Sequence, residues 1–282
     1  MSNLIKGPWL KFFCLLFMFV LVPSYLFLLA ENENFSFGVG SNRQQDSTEV
    51  GEIPSSYNFH PFYKKYIDAN GIPVISSENV PASALIQARA IVLQMLEKRR
   101  DVKTKLESNK VRVAVMAKDE QTTDIPEHKD LNKAFPGTNW DIRARGLGAT
   151  KLRPAVSCAE ENLLCYGQDP YHGEDILVHE FAHTIHTLGI QYIDTDFDGK
   201  LSEIYDEAME RQLWANTYAA SNYQEYFAEG VQCWYNVNKE VTPSDGVHNH
   251  INTRAELKVY DPKLYQLISL YFAESDNKVS CH

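Results

Sequence analysis

The chain has 282 residues, of which 44% are hydrophobic and 23% are charged, a composition typical of a globular protein with a full core. Its formal net charge is −10, and no basic block or arginine-rich stripe occurs, which argues against nucleic acids and anionic membrane surfaces as partners. The function of this acidic protein must therefore be sought in individual motifs.

An apolar run near the N-terminus separates the first residues from the rest of the chain. Phe12–Ala30 is almost entirely hydrophobic, and Lys6 and Lys11 precede it. This pattern is typical of a secretory signal peptide, and its length also suits a signal-anchor transmembrane helix. Lysines on the short side favour a cytoplasmic N-terminus with the remainder translocated. We therefore predict that residues 1–30 direct the chain into the secretory pathway, as an extracellular or a type II membrane-anchored protein.

A polar segment follows the apolar run. Residues 31–56 show no hydrophobic period, which predicts a flexible stalk. Within it, Asn34-Phe35-Ser36 matches the acceptor sequence for N-glycosylation. The globular domain is predicted from residue 57 to residue 282.

Four cysteines lie in the part of the chain that is predicted to be exported: Cys158, Cys165, Cys233 and Cys281. An even number of cysteines in an oxidising compartment indicates two disulfides, for which three connectivities are possible. We favour Cys158–Cys165 with Cys233–Cys281, because the first pair closes a short loop. The cysteines form no C-x-x-C pair, which argues against a cysteine-based zinc site.

Hydrophobic periodicity predicts the first elements of the globular domain. A helix is expected from Pro81 to Leu96 and a strand from Val111 to Met116. The polar stretch 118–139 is predicted to be loop. Residues 146–150 and 154–156 read as short strands separated by turns, immediately before the next helix.

The next predicted helix, Glu174–Gly189, contains the motif His179-Glu180-Phe181-Ala182-His183. Two histidines four positions apart lie one helical turn apart on one face, so both imidazoles can bind a single zinc ion. Between them, Glu180 lies where it can accept a proton from a zinc-activated water. Glu174 and Asp175 are expected to place negative charge in the first turn, and Gly189 to end the helix. The motif therefore predicts a zinc site rather than two unrelated surface histidines.

Asp194–Gly199 matches the first half of an EF-hand calcium loop. The match is incomplete, because Tyr205 stands where the bidentate glutamate belongs and Asp206 comes one position late. The interpretation favoured here is the acidic start of a helix that runs from Leu201 to Leu213.

A catalytic zinc ion normally has three protein ligands and one open position. The metzincin pattern is excluded, because His186 and Gly189 occupy the positions of its glycine and third histidine. The common alternative is a carboxylate from a later helix. The predicted helix Tyr223–Tyr235 carries Glu225 and Glu229 on one face, where like charges repel each other unless a cation or an imidazole compensates them. One glutamate would bind zinc, and the other would accept a hydrogen bond from a coordinating imidazole.

Two motifs together resemble a known family. His179–His183, followed by Tyr218-Ala219-Ala220-Ser221-Asn222-Tyr223-Gln224-Glu225-Tyr226-Phe227-Ala228-Glu229, is similar to the catalytic domain of anthrax lethal factor and the related Pro-Pro endopeptidases, which are gluzincin-type zinc metallopeptidases. The resemblance covers only the stretch from about Ile176 to Glu229. The toxin's large accessory domains have no counterpart here, so its substrate is not transferred.

The resemblance implies a fold and a set of roles. The expected fold is an α+β, zincin-like domain, mainly helical with a small mixed sheet, and the expected cofactor is Zn²⁺. Glu225 would be the third zinc ligand and Tyr218 would stabilise the transition state, with Glu229 beside a ligand histidine. Residues 146–156 stand where the edge strand of a zincin sheet falls, although an interior strand suits them equally.

Three further histidines have no assigned role. His186 shares the helix face of the zinc motif and is expected to be structural. His248 and His250 could orient a substrate or could lie in a surface loop. The resulting hypothesis is a monomeric zinc-dependent endopeptidase acting on a peptide or protein substrate. The alternative is a non-catalytic, zinc-stabilised extracellular binding module.

Overall fold

The computed structural model describes residues 48–275 and 280–282. The predicted signal or anchor segment, the glycosylation acceptor at Asn34 and most of the predicted stalk lie outside the described residues. Within the described ranges, no helix combines the length and the apolar character that a membrane span requires.

The described residues contain a mixed sheet of five strands in the order β1-β2-β3-β4-β5. β2 is antiparallel to both of its neighbours, β1 and β3, whereas β3, β4 and β5 run parallel to one another. Asn70 and Gly71, with φ of 54° and 94°, form the tight turn between β2 and β3, a conformation that glycine and asparagine tolerate best. The strands are β1 (Gly51–Glu52), β2 (Lys65–Ala69), β3 (Ile72–Ser76), β4 (Arg112–Met116) and β5 (Ala155–Ala159).

Strand β1 brings the chain into the sheet earlier than the sequence indicates. Gly51 pairs with Tyr66 and Glu52 pairs with Lys65. A two-residue strand that pairs through its backbone leaves no hydrophobic period. For this reason the sequence does not indicate this strand, which lies before residue 57, the predicted start of the globular domain.

Helices connect the parallel strands, as the geometry of parallel pairing requires. α1 (Ala82–Met95) and α2 (Arg100–Ser108) lie between β3 and β4, so the helix predicted from Pro81 to Leu96 and the strand predicted from Val111 are confirmed. The predicted loop 118–139 is not wholly irregular, because it includes the short helix α3 (Leu131–Ala134). Two further short helices follow, α4 (Trp140–Arg143) and α5 (Glu160–Leu163).

The second half of the described chain is helical. Its longest helices are α6 (Ile176–Leu188), α7 (Phe197–Glu210) and α8 (Tyr223–Trp234), and α9 (Arg254–Tyr260) and α10 (Pro262–Ser269) follow. The described chain is thus α+β and mainly helical with a small mixed sheet, as predicted.

Alternate residues of the strands face two different apolar layers. Val113 and Val115 of β4 join the main core with residues of α1, α6 and α8. Ala114 and Met116 face the opposite side, where Tyr63 and other aromatic residues that precede and begin β2 cover the sheet. The period of two along β4 therefore separates the two layers.

Strand β5 is paired on both sides. It runs parallel to β4, and Ser157 forms one antiparallel bridge with Leu147. Residues 154–156 thus enter an interior strand, whereas the segment Gly146–Ala149 lies outside it at the margin of the described sheet. We call Gly146–Ala149 the edge segment.

The acidic run Asp194–Gly199 begins a helix and does not form a calcium loop. α7 starts at Phe197, in the middle of the run. Two of its carboxylates have partners within the protein: Asp194 accepts from the Tyr271 hydroxyl at 2.7 Å, and Asp198 contacts His186. The helix predicted from Leu201 is therefore present and starts four residues earlier.

The predicted disulfide pairs are wrong. A disulfide joins Cys165 to Cys281, and Cys158 and Cys233 are free and buried. Cys158 lies on β5 and faces the main core, so its thiol is directed away from the surface where Cys165 lies. Cys233 lies on α8, where its thiol donates to the Ile251 carbonyl at 3.3 Å. The predicted pair Cys158–Cys165 is wrong because the side chain of Cys158 points from β5 into the core.

Candidate metal centre

Helix α6 presents the His179–His183 motif on one face because its other side is buried. Its N-cap is Asp175, whose side chain accepts from the Val178 amide at 3.0 Å, and Gly189 is its C-cap. Asp175 and Glu174 therefore precede the first turn instead of lying within it as predicted. The predicted end at Gly189 is confirmed.

Helix α8 packs beside α6 and presents Glu225 to the motif. It begins at Tyr223 after Asn222, whose side-chain oxygen accepts from the amides of Gln224 at 3.0 Å and Glu225 at 2.9 Å. This cap fixes the first turn of α8. Glu225 consequently faces α6.

The structure brings His179, His183 and Glu225 together. The Nε2 atoms of the two histidines are 3.1 Å apart, and Glu225 Oε2 lies 3.1 Å from His179 Nε2 and 3.0 Å from His183 Nε2. His179 is buried, whereas His183 and Glu225 are partly exposed. These three residues are called the metal centre.

The metal centre has the donor set and the dimensions of a zinc site. Two imidazoles and one carboxylate are a common ligand set of catalytic zinc, and a tetrahedral ion with bonds of about 2.0–2.1 Å separates its ligand atoms by about 3.3 Å. The observed separations of 3.0–3.1 Å are close to that edge length. Two ring nitrogens and a carboxylate oxygen this close to one another are favourable only around a cation, either a metal ion or shared protons.

Glu180 lies beside the metal centre and against the edge segment. The Gly148 amide donates to its carboxylate. A Cβ atom on Gly148 would lie 3.1 Å from His183 Cβ and 3.3 Å from the Glu180 carbonyl oxygen, so only glycine allows this close approach without a shift. Burial raises the pKa of Glu180, and the charges of His179 and His183 oppose that rise.

The same surroundings act oppositely on Glu225. Burial alone would raise its pKa. The charge of His183 and the hydrogen bonds from both histidines nevertheless hold the pKa of Glu225 well below its usual range. Glu225 is therefore an anion at neutral pH, as a metal ligand must be.

Tyr218 lies beside His179 and is partly exposed. Its ring stacks on the imidazole of His179, with ring centres 6.2 Å apart, and its hydroxyl hydrogen-bonds to Glu225. The Tyr218 amide donates to the Val247 carbonyl at 2.8 Å, which fixes its backbone. Burial and the nearby carboxylate of Glu225 raise the pKa of Tyr218, so the hydroxyl keeps its proton at neutral pH.

Glu229 is buried behind the metal centre. Its Oε1 atom lies 3.5 Å from His179 Nδ1, and its other oxygen accepts from the Asn238 amide at 2.9 Å. The sequence predicts that a ligand histidine donates a hydrogen bond to Glu229. In the structure, Gln232 is nearer, because its Oε1 atom lies 2.9 Å from His179 Nδ1. Gln232 was not expected, although it stands two helical turns after Glu225, on the same face of α8.

The three unassigned histidines lie around the centre in different ways. His186 is buried and its Nε2 lies 2.7 Å from Asp198 on α7, so it joins α6 to α7. His248 is buried with its Nε2 3.2 Å from Glu174 Oε2. His250 contacts the ring of Tyr260 at 5.7 Å between ring centres. The burial of His186 and His248 favours structural roles for these two, whereas His250 is exposed.

No family model matches the chain, and no curated protein matches it. The solved structure of the Pro-Pro endopeptidase PPEP-2 from Paenibacillus alvei is similar, with a TM-score of 0.48 and 17% identity over 71% of this chain and 97% of that chain. Similarity of this degree assigns no function, which must be proposed from the residues of the metal centre.

Proposed function

We propose that the protein is a zinc-dependent endopeptidase. The observation that carries this proposal is the convergence of His179, His183 and Glu225, with Glu180 partly exposed beside them. Zinc held by these residues would supply a water of lowered pKa and would polarise a carbonyl group. The partial exposure of His183, Glu225 and Glu180 leaves the open side that a substrate needs.

The protein's own residues supply the proton transfers. Glu180 accepts a proton from the attacking water and passes it to the amine that leaves the cleaved peptide bond. The raised pKa of Glu180 suits this exchange, because a base must also release its proton within one catalytic cycle. Tyr218 keeps its proton and donates a hydrogen bond to the oxygen that gains negative charge, a contribution of about a few kcal/mol.

The edge segment offers backbone groups to an extended substrate. Leu147 uses both of its backbone groups on Ser157, at 3.2 Å and 2.9 Å. In an antiparallel pair the groups of the flanking residues Gly146 and Gly148 point the other way, away from β5, and of these groups the Gly148 amide already donates to Glu180. We propose that a peptide lies along this side by strand addition. The resemblance to Pro-Pro endopeptidases recommends peptides with proline near the cleaved bond as substrates to be tried.

The test compares purified full-length wild type with Glu180→Gln on a peptide library that includes proline-containing sequences. The variant is expected to bind zinc as the wild type does and to lose about 10²- to 10⁴-fold in kcat/KM, the usual contribution of a general base. Exposed Glu203 on α7 supplies a matched Glu→Gln control that should keep full activity. Equal cleavage by wild type and Glu180→Gln would end the proposal, and bound zinc without any cleavage would favour the binding module.

We also propose that the protein is exported. The Cys165–Cys281 disulfide supports an oxidising compartment, where such bonds persist. In that compartment Asn34 is expected to carry a glycan, which a glycosidase would remove with a visible loss of mass. Recovery of the protein from the cytosol, unglycosylated and with both cysteines reduced, would contradict export.

A further inference from the structure

Gln232 occupies the centre of a buried polar layer behind His179. It lies on α8, is fully buried, and places its Oε1 atom 2.9 Å from His179 Nδ1. The Nδ1 atom is the ring nitrogen that faces away from the metal centre, because Nε2 faces Glu225. The group that contacts Nδ1 therefore determines the orientation of the imidazole ring and which ring nitrogen carries the proton.

The surroundings of Gln232 determine which end of its amide faces His179. The amide nitrogen lies 3.2 Å from the Asp175 carbonyl oxygen and 3.4 Å from Glu174 Oε2. Both of these atoms are acceptors, so the NH₂ group must point to them and the Oε1 atom must point to His179. An accepting oxygen requires a proton on Nδ1, which leaves the lone pair of Nε2 directed into the metal centre.

A second set of contacts holds Glu174, the far partner of Gln232. Its carboxylate is buried and lies 3.2 Å from His248 Nε2. The residue before His248 is Val247, whose carbonyl accepts from the amide of Tyr218. One chain of contacts thus joins the back of His179 to the backbone that positions Tyr218.

We propose that Gln232, and not Glu229, is the positioning residue of His179. Glu229 Oε1 lies 3.5 Å from Nδ1, beyond the ordinary length of an N–H···O hydrogen bond, and its other oxygen is used by Asn238. Gln232 has the shorter distance and an amide whose orientation is determined on both ends. This inference rests on the proposed function only in taking zinc as the metal, and it requires no peptide cleavage.

The test measures the zinc dissociation constant of the full chain by competition with a chromogenic chelator. Gln232→Ala should weaken zinc binding about 10- to 100-fold, the usual effect of losing the hydrogen-bond partner of a ligand histidine. Gln232→Glu keeps an acceptor for Nδ1, and its second oxygen must carry a proton to face the Asp175 carbonyl and the Glu174 carboxylate, so it should recover part of the affinity that Gln232→Ala loses. Glu229→Gln should lose less zinc affinity than Gln232→Ala, and the control Gln266→Ala on the exposed face of α10 should bind zinc as the wild type does.

A second readout does not depend on affinity. In the zinc-loaded protein, the His179 Nδ1 proton should give an exchange-protected NMR signal that Gln232→Ala removes and Gln232→Glu retains. Unchanged zinc affinity in Gln232→Ala, or a larger loss in Glu229→Gln, would overturn the inference while leaving the peptidase proposal standing. Failure of the wild type to bind zinc would overturn both.

Discussion

At the scale of single residues, the pKa values of two neighbouring carboxylates, Glu225 and Glu180, are shifted in opposite directions. Glu225 contacts both histidines, and their charges and hydrogen bonds lower its pKa against the effect of burial. Glu180 receives one backbone hydrogen bond from Gly148, and burial raises its pKa. Paired acidic groups with divergent pKa values are typical of sites where one group stays charged and the other exchanges protons. This division agrees with the proposed roles of Glu225 as a zinc ligand and Glu180 as a base.

His128 permits a residue-scale prediction away from the metal centre. It is 1% exposed, its Nδ1 atom has no hydrogen-bond partner, and burial lowers its pKa to about 4. A histidine in the unfolded chain has a pKa of about 6.5, so between pH 4 and pH 6.5 the unfolded chain binds more protons than the folded one. The contribution of neutral His128 to the free energy of unfolding is therefore complete above pH 6.5 and is lost as the pH falls toward 4. At pH 4.5 the loss should amount to about 2–3 kcal/mol.

The measurement is urea unfolding of wild type and His128→Gln from pH 7.5 to pH 4.5. Other groups titrate in both proteins, so only the difference between the two free energies of unfolding is informative. The variant should be less stable at pH 7.5, where it loses packing, and the deficit should shrink by the stated amount as the pH falls. A deficit that is constant over this range would contradict the buried, neutral state of His128.

At the scale of elements, two glycines, Gly199 in α7 and Gly230 in α8, have different surroundings. Gly199 would be the sixth residue of an EF-hand loop, where a sharp turn needs glycine. In the structure it lies inside α7, and a Cβ atom there would meet nothing within 4 Å. Gly230 lies inside α8, where a Cβ atom would come within 2.6 Å of Leu264 Cδ2 and 2.9 Å of Ile268 Cδ1 on α10. The close packing of α8 on α10 therefore depends on Gly230.

The two glycines predict stability changes of opposite sign. Gly199→Ala should raise the free energy of unfolding by about 0.5–1 kcal/mol, because alanine is the better helix former and the space is open. Gly230→Ala should lower it by about 1–3 kcal/mol, because the added methyl group must displace α10. Thermal or urea unfolding of both variants measures the difference. Destabilisation by Gly199→Ala, together with stabilisation of the wild type by calcium, would restore the calcium-loop interpretation.

At the scale of the whole molecule, the sequence predicted those features that depend on residues close to one another along the chain. The spacing of His179 and His183 predicts a shared face, and the pattern around Glu225 predicts a second helix, because both depend on the helical repeat. The contact of Gln232 with His179, and the covalent link of Cys165 to the C-terminus, join segments that are remote in sequence. Periodicity carries no signal for such pairs, so they became visible only once the fold was known.

The C-terminus is attached to the beginning of α6, and this attachment leads to a prediction for the whole molecule. His282 Nε2 lies 2.8 Å from the Asn162 carbonyl oxygen, and Asn162 in turn accepts from the Ile176 amide at 2.8 Å. The disulfide that holds this arrangement spans 116 residues. Because it closes so long a loop, its loss should reduce the free energy of unfolding by about 2–5 kcal/mol, chiefly through the unfolded chain.

Cys165→Ser and Cys281→Ser should therefore be destabilised equally, and the double variant no more than either single one, since all three lack the same bond. Reductant should lower the stability of the wild type to that of the variants and leave the variants unchanged. Peptide mapping of the unreduced protein should recover a linked pair that contains Cys165 and Cys281. A linked peptide that contains Cys158 would contradict this pairing, because the thiol of Cys158 would then have to leave the core, where it lies fully buried on β5.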